Sequence, residues 1–292
     1  MCGILALYNP KADVAKDIYD GLIQLQHRGQ DAAGISSLDS SIMHLHKDTG
    51  LVTEVFKKTK SKVNLTGNLG IGHVRYPTAG NNDVNDSQPF FTSNPVNIAL
   101  AHNGTLTNSD SIRDKLIKTH FCQFNTSSDS EALLNLFAFE LYKTNFRRLT
   151  KNHVIKALKM VYDKCSGGFS VVALVSGIGI IAFRDPNGIR PLSMGRKGNS
   201  FMFASESSAL TALDFEDIED VKPGEAIIVE LDGTLTKRRI KKTYDKFGIV
   251  IDPHTAVGLE ASHIYLDQYP NDIVVTLSTA HPSKFSESVN SI

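Results

Sequence analysis

The chain has 292 residues, of which 41% are hydrophobic and 21% charged, an ordinary composition for a globular protein. Lys plus Arg and Asp plus Glu number 31 each, so the charge balance indicates neither a nucleic-acid nor a membrane partner. No apolar run approaches the roughly 18 residues of a transmembrane helix, and the amino terminus lacks the features of a signal peptide. We therefore expect a cytoplasmic protein whose three cysteines form neither a disulfide framework nor a metal site.

The amino terminus reads Met1-Cys2-Gly3, so removal of the initiator methionine would leave a cysteine as the first residue. Such a residue carries a thiol nucleophile together with a free amine, whose reference pKa of about 7.7–8.0 lets it serve as a base near neutral pH. The arrangement is typical of catalysis by an amino-terminal nucleophile. A cysteine at position two also occurs by chance, and the dipeptide alone does not decide between the two interpretations.

The pattern of apolar residues predicts the elements that follow. A buried strand over residues 3–8 precedes a helix from Val14 to Leu25, for which Gly29 is the expected C-cap. A second helix is predicted to begin at Ser128, because Ser128 and Glu131 have the spacing of a capping box. The remaining elements are a helix at 153–164 and strands at 169–175, 178–183, 201–205, 226–231 and 234–239, the last two forming a hairpin around Asp232-Gly233. Because strands and helices come in separate runs, the predicted fold class is α+β.

The character of the sequence changes near residue 243, after a basic stretch at 237–242. A strand at 248–251, a helix over about 256–269 and a strand at 273–277 predict a short β-α-β segment. One such unit is too small to bury a core alone. We therefore predict one domain over residues 1–240, and a linker plus a fragment that is not an independent domain over residues 241–292.

Several side chains suit the hydrolysis of a carboxamide on an amino-acid substrate. Asn103 and Gly104 together offer two donors for a tetrahedral oxyanion. Arg75 could bind a carboxylate in a bidentate manner, and Asp129 could bind the matching ammonium. Each has a simpler alternative: Asn103-Gly104 as a type I′ turn, Asp129 as an N-cap, and Arg75 as a surface ion pair.

Other inviting residues are interpreted as structural. An amino-terminal amine removes the need for a histidine base, so His27, His73 and His102 are expected to support the site without acting as the base. Cys122 and Cys165 are expected to be packing or surface thiols. The rigid loop from Asp185 to Leu192 is expected to shape the domain and its interface.

Taken together, these segments resemble a known family. Met1-Cys2-Gly3-Ile4, Arg28-Gly-x-Asp-x-x-Gly34, Gly70-x-x-His-x-Arg-Tyr-Pro-Thr78 and His102-Asn103-Gly104 are similar to the class II glutamine amidotransferases. The segments at 25–34, 75–80 and 185–192 are similar, within that class, to the amidophosphoribosyltransferase family. This resemblance covers about residues 1–240 and implies an N-terminal-nucleophile hydrolase fold, a four-layer α/β/β/α sandwich.

The resemblance also implies roles for individual residues and a place in purine biosynthesis. The substrate would be L-glutamine, with Cys2 as nucleophile, its α-amine as base, and Asn103 and Gly104 as the oxyanion hole. The residues implied around bound glutamine are Arg28, Arg75, Tyr76, Thr78 and Asp129. No cofactor is predicted for this glutaminase half.

The carboxyl-terminal part departs from that family. Relatives continue into a domain for phosphoribosyl pyrophosphate (PRPP), to which Mg²⁺ would belong, whereas residues 247–292 here resemble the carboxyl-terminal part of threonine synthase. The lysine-bearing region for pyridoxal phosphate is missing, so no such cofactor is expected, and His254, His263 and His281 are interpreted as inherited or surface residues. A genuine fusion, a truncated duplicate and a gene-model error are all compatible with this pattern.

Three functional hypotheses follow. The first is a glutaminase that releases ammonia and glutamate, without the full transferase activity. The second is a catalytically silent remnant or binding module that associates with an intact amidophosphoribosyltransferase. The third is threonine-synthase-like lyase chemistry from the tail.

Overall fold

A computed structural model of the chain describes residues 1–57, 65–76, 84–120 and 122–239, which form thirteen strands and six α-helices. The strands are β1 (Gly3–Tyr8), β2 (Ala32–Asp39), β3 (Ile42–Thr49), β4 (Leu69–Arg75), β5 (Phe90–Thr92), β6 (Ile98–Leu106), β7 (Gly167–Val175), β8 (Gly179–Arg184), β9 (Ser193–Lys197), β10 (Ser200–Ala204), β11 (Glu216–Asp220), β12 (Glu225–Glu230) and β13 (Leu235–Arg239). The helices are α1 (Ala15–Gln24), α2 (Val52–Lys57), α3 (Ser109–His120), α4 (Asp129–Tyr142), α5 (Lys151–Lys164) and α6 (Ser207–Ala212).

The strands form two antiparallel sheets. The seven-stranded sheet has the order β11-β9-β10-β1-β4-β2-β3, and the six-stranded sheet has the order β13-β12-β8-β7-β6-β5. Their facing sides share one buried apolar layer, to which β1 contributes Ile4 and Ala6 and β6 contributes Ala99 and Ala101. Because side chains alternate along a strand, the opposite faces of both sheets remain available for helices.

Helices cover both outer faces. Residues of α1, α2 and α6 pack on the outer side of the seven-stranded sheet, where Ile18 and Leu22 of α1 are fully buried. Residues of α3, α4 and α5 pack on the outer side of the six-stranded sheet, around Phe137 and Leu158. The layers therefore run α/β/β/α, which confirms the predicted α+β class and sandwich.

Most predicted boundaries agree with the structure to within two residues, and the hairpin of β12 and β13 is confirmed by their pairing. Contrary to the prediction, Gly29 is not the C-cap of α1 but the C-cap of the short 3₁₀ turn that follows it; the C-cap of α1 is Leu25. Helix α1 ends at Gln24, and the chain tightens into a 3₁₀ turn in which Arg28 N–H donates to Leu25 O. Gly29 is extended, at φ −165°, and lies so close to β4 that a Cβ would sit 2.5 Å from the carbonyl carbon of Arg75.

The helix start at Ser128 is confirmed, but the predicted capping box is not formed. Ser128 is the N-cap of α4, and its hydroxyl accepts from Ser130 N–H at 3.3 Å. The Glu131 carboxylate instead accepts from the N–H groups of Asn125 and Thr126, each at 2.8 Å. Glu131 therefore orders the preceding loop and does not close the box.

The cysteine predictions agree with the part of the chain that the structure describes. Cys165 is buried in the layer beneath α4 and α5, Cys122 packs against the same layer, and the three cysteines are free thiols. In those same residues, every helix is too short or too polar to cross a membrane. The elements predicted over 248–277, like Thr78, lie outside the described residues, and the domain boundary at 240 stays a prediction.

Candidate active site

Cys2 lies at the end of the apolar layer between the sheets. It immediately precedes β1 and, by strand alternation, shares the inward side with Ile4 and Ala6. Its thiol Sγ lies 3.9 Å from the carbonyl oxygen of Tyr76, just beyond β4. Burial raises the pKa of the Cys2 thiol, and the nearby amino terminus and Arg75 offset only part of this rise. The thiol is therefore protonated at rest, and it needs a base to become a nucleophile.

Arg28 holds the backbone of the cysteine in place. Its Nε donates to Cys2 O at 3.0 Å, and its Nη1 donates to Glu206 Oε1 at 2.5 Å. His27 lies on the other side of Glu206, with Nε2 at 3.1 Å from Oε2. Although partial burial acts in the opposite direction, hydrogen bonds from Arg28 and His27 lower the pKa of Glu206. Because the Arg28 side chain is only 6% exposed, the negative charge of Glu206 is what stabilises it there.

Asn103 and Gly104 lie inside β6, so the turn interpretation of this dipeptide is wrong. Asn103 is 1% exposed and shares its face of β6 with Ala101, which points toward the layer between the sheets. Among the described residues, its Nδ2 has no hydrogen-bond partner. A buried amide donor without an acceptor is costly in a resting protein, which suits a group that acquires its acceptor from a ligand.

The N–H of Gly104 is directed to the edge of β6 that faces away from β7. Two other residues of the same alternation, His102 and Leu106, donate their N–H groups on that side to the Gln88 Oε1 and Asp129 Oδ2 atoms, at 2.7 and 2.9 Å. Gly104 lies midway between them, because alternate residues of a ladder point their N–H groups to the same side. Any Cβ at this position would lie 2.2 Å from the Gly168 carbonyl oxygen, so only glycine fits.

Asp129, the first residue of α4, connects the helix to this strand. One carboxylate oxygen accepts from Leu106 N–H, and the other lies 3.9 Å from His102 Nδ1. His102 is buried, and burial lowers its pKa although Asp129 opposes the shift. Since Ser128 provides the N-cap, Asp129 is not the capping residue. Its partly exposed carboxylate keeps capacity to accept from an ammonium group.

Arg75 is the last residue of β4, and Tyr76 directly follows it. Arg75 Nη2 lies 3.7 Å from Asp86 Oδ2, and its side chain is only 12% exposed, so the surface ion-pair interpretation is wrong. Its Nη1 is buried and, within the described ranges, has no hydrogen-bond partner. Tyr76 offers its carbonyl to the thiol, whereas its side chain is largely exposed.

The histidines are in no position to replace the amine as base. His73 is fully buried, and burial, helped by repulsion from His102, lowers its pKa to about 3. His102 is held by Ser130 Oγ at 2.9 Å from its Nδ1, beneath Gly104. His27 is exposed and lies beside Glu206. His102 and His27 contact neighbouring polar groups, whereas neither ring nitrogen of His73 has a hydrogen-bond partner among the described residues; the supporting role expected for all three stays a prediction.

No sequence motif points to two residues that complete this arrangement, Gln88 and Glu206. Glu206 follows β10 and lies 178 positions from its partner Arg28, and Gln88 lies between two short elements without a recognisable motif. Gln88 pairs with both backbone groups of His102, donating to its carbonyl at 3.3 Å and accepting from its N–H. Gln88, which precedes β5, thus satisfies the backbone of β6 just beyond the last pair of the two strands, Phe90 and Leu100.

Comparison with known proteins agrees with this architecture. Residues 73–212 match the glutamine amidotransferase domain family, and residues 255–292 match the carboxyl-terminal family of threonine synthase. The chain is 45% identical over 246 residues to the amidophosphoribosyltransferase of Pseudomonas aeruginosa, covering 83% of this chain and 49% of that protein. It is 45% identical over 247 residues to that of Escherichia coli K12, covering 82% of this chain and 48% of that protein.

A solved structure described as glutamine PRPP amidotransferase from B. subtilis, complexed with ADP and GMP, superposes with a TM-score of 0.70 at 33% sequence identity. The superposition covers 83% of this chain and 50% of that one. The chain thus spans about half the length of the curated relatives it matches. Its amino-terminal part is similar to the glutamine amidotransferase domain family and to the amino-acid sequences of amidophosphoribosyltransferases.

Proposed function

We propose that the chain, once Met1 is removed, hydrolyses the side-chain amide of L-glutamine to glutamate and ammonia. One observation carries the proposal: a cysteine at the amino terminus lies at the end of the layer into which Asn103 presents an amide donor that has no partner among the described residues. A thiol nucleophile and a preformed oxyanion donor are the two parts that acyl transfer requires. The similarity to glutamine amidotransferases supports glutamine as the amide.

In the proposed reaction, the Cys2 α-amine accepts the thiol proton as Sγ attacks the amide carbon. The carbonyl oxygen becomes an oxyanion that accepts from Asn103 Nδ2 and Gly104 N–H. Collapse breaks the carbon–nitrogen bond, and the ammonium form of the amine returns the proton so that ammonia leaves. Water, deprotonated by the same amine, then attacks the γ-glutamyl thioester, which releases glutamate and restores the thiol.

The charged groups of the site suit the amino-acid end of this substrate. Arg75 has a buried Nη1 available for the α-carboxylate, and the Asp129 carboxylate can accept from the α-ammonium. Arg28 engages Cys2 and Glu206 through Nε and Nη1, whereas its buried Nη2 has no hydrogen-bond partner among the described residues, so its inferred place in the glutamine pocket stays a prediction. The roles inferred for Tyr76 and Thr78 stay predictions.

The wider setting is part of the same proposal. The relatives are named amidophosphoribosyltransferases, and we infer a cytoplasmic role in purine biosynthesis from that similarity. Since the chain spans about half of those relatives, we expect ammonia and glutamate as its products and no transfer to PRPP. The expectation that this half needs no cofactor also stays a prediction.

A catalytically silent module that associates with an intact amidophosphoribosyltransferase is the second candidate. The half-length match favours it, because a domain separated from its acceptor half could retain glutamine binding without turnover. This candidate predicts glutamine binding but no glutamate release.

The decisive assay is glutamate release from glutamine by the full chain, with removal of Met1 established by intact mass. Cys2→Ala should abolish release, whereas Cys122→Ala, which removes a thiol from the helical layer, should leave it unchanged. Activity that survives in Cys2→Ala would refute the mechanism. An inactive Met-trimmed protein that still binds glutamine by calorimetry would support the silent module.

A further inference from the structure

The loop after β8 is organised around one buried carboxylate. Asp185 is fully buried, and its oxygens accept from the N–H groups of Phe169, Asn187 and Ile189 at 2.9–3.1 Å. The guanidinium of Arg184 fixes the other side of the loop by donating to three backbone carbonyls. These are the carbonyls of Gly188, Arg190 and Val221, at 2.6–2.9 Å. The loop is therefore a rigid support rather than a mobile connection.

This support fixes the backbone of Arg190 from both sides. Its N–H donates to Asp185 Oδ2 at 3.4 Å, and its carbonyl accepts from Arg184 Nε at 2.6 Å. The side chain reaches the amino terminus, where Nη1 lies 3.0 Å from Met1 Sδ. Its Nε is buried and has no hydrogen-bond partner among the described residues. The contact with the uncharged Met1 sulfur does not neutralise the positive charge of the Arg190 guanidinium.

The covalent chain limits how far this charge lies from the reacting groups. Five bonds separate Met1 Sδ from the Cys2 nitrogen, so those two atoms are at most about 6 Å apart. With the 3.0 Å contact, Arg190 Nη1 lies within roughly 9 Å of the Cys2 nitrogen while Met1 is present. Removal of Met1 ends that contact, but the hydrogen bonds with Asp185 and Arg184 still hold the Arg190 backbone in place. At that range, a cation disfavours protonation of the amine.

Most other charged side chains near this nitrogen form pairs of opposite charge. Arg28 on the 3₁₀ turn pairs with Glu206 after β10, and Arg75 at the end of β4 pairs with Asp86. Asp129 on α4 contributes a negative charge, which favours protonation of the amine.

Arg190 differs from these groups. In the described ranges, no carboxylate lies within 4.0 Å of its guanidinium nitrogens. It therefore supplies the positive charge that can balance Asp129.

We propose that Arg190 is a positioning residue that keeps the α-amine of Cys2 unprotonated once Met1 is removed, and thereby available as the base. It acts through the amine and not on glutamine. The inference deepens the proposed function, because it rests on the amine being the base. The loop that the sequence indicated only as structural thus also carries a charge to the site.

The test compares three variants of the Met-trimmed protein carrying ¹³C-labelled cysteine. Arg190→Gln removes the charge, and Arg190→Lys keeps it. Arg196→Gln removes an exposed arginine from β9, whose register partner Phe201 lies opposite Tyr8, at the far end of β1 from Cys2. Carbon NMR against pH follows the first deprotonation of Cys2, and glutamate release gives the pH profile of kcat.

In Arg190→Gln, the first deprotonation midpoint of Cys2 should rise by about 0.5 to 1 pH unit, as a unit charge at roughly 9 Å produces in a partly exposed site. The acid limb of kcat should move by the same amount. Arg190→Lys and Arg196→Gln should both retain the original midpoint. If Arg190→Gln does not fold, as judged by its thermal transition, Arg190→Met gives the same comparison with a longer apolar stem.

Equal midpoints in Arg190→Gln and Arg196→Gln would overturn the proposal. So would a loss of kcat at every pH without a shift, which would make Arg190 a support for the oxyanion side. A shifted midpoint in a protein that releases no glutamate would uphold the role of Arg190 and reject the proposed function instead.

Discussion

Replacing Asn103 with alanine should separate catalysis from stability. The Nδ2 atom is buried without a partner among the described residues, so Asn103→Ala breaks no hydrogen bond of that atom in the resting protein. Removing an unsatisfied donor recovers part of a desolvation cost of about 1–3 kcal/mol, which offsets the small cavity that is left. We expect the thermal midpoint to change by less than about 4 °C. An oxyanion donor, in contrast, accounts for about 10²–10³ in kcat, or about 2.7–4 kcal/mol of transition-state stabilisation.

The matched control is Asn108→Ala, two residues beyond β6. Asn108 donates to Lys164 O at 2.8 Å and accepts from Ser166 N–H at 3.0 Å, so both of its polar groups are engaged. This variant should lose about 1–3 kcal/mol of stability and keep its kcat. Glutamate release and thermal unfolding, measured on both variants, test the contrast. An Asn103→Ala protein with unchanged kcat, or one that loses activity only because it unfolds, would refute the reasoning.

Two further substitutions test the supports of the site. Gly104→Ala places a methyl group 2.2 Å from the Gly168 carbonyl oxygen, so β6 must shift. We expect a loss of about 1–3 kcal/mol in unfolding free energy, together with a clear fall in kcat. Full activity of this variant would show that the Gly104 N–H is not an oxyanion donor. Glu206→Gln leaves Arg28 without its counter-ion and should lower stability above about pH 5. Because the pKa of Glu206 is lowered, its contribution is lost as the pH falls, so the difference between the two proteins should shrink in acid. Parallel urea titrations that show the same difference at neutral and at acidic pH would contradict this.

The sequence predicted elements with strong periodicity and missed those without it. Strands β7, β8 and β12 are nearly continuous apolar runs and were predicted to within two residues. Strands β3 and β11 were not predicted, because Ile42–Thr49 carries three charged or histidine side chains in its second half and Glu216–Asp220 is almost entirely acidic. Both lie at an edge of the seven-stranded sheet, where pairing with one neighbour stabilises a polar strand.

The site divides in the same way. Cys2 is a candidate because of its position next to the initiator methionine, and Asn103 and Gly104 are candidates because they are adjacent in the chain. Each of these signals can be recognised from a few neighbouring residues. Arg190 and Glu206 depend on contacts with residues 189 and 178 positions away, which no local pattern encodes. The Asn-Gly dipeptide was ambiguous for a physical reason: the same residues suit a turn and a strand edge, and only the pairing of β6 with β7 decides between them.

His73 should make the protein sensitive to acid. Burial lowers the pKa of His73 to about 3, from an ordinary value of 6.5. Between these values the unfolded chain binds a proton that the folded protein excludes. The free energy of unfolding therefore decreases by about 1.4 kcal/mol for each unit by which the pH is lowered. In His73→Leu, the slope of unfolding free energy between pH 4 and 6 should decrease by about that amount. Equal slopes in the wild type and His73→Leu would show that His73 is not excluded from protonation, and would return it to the list of possible bases.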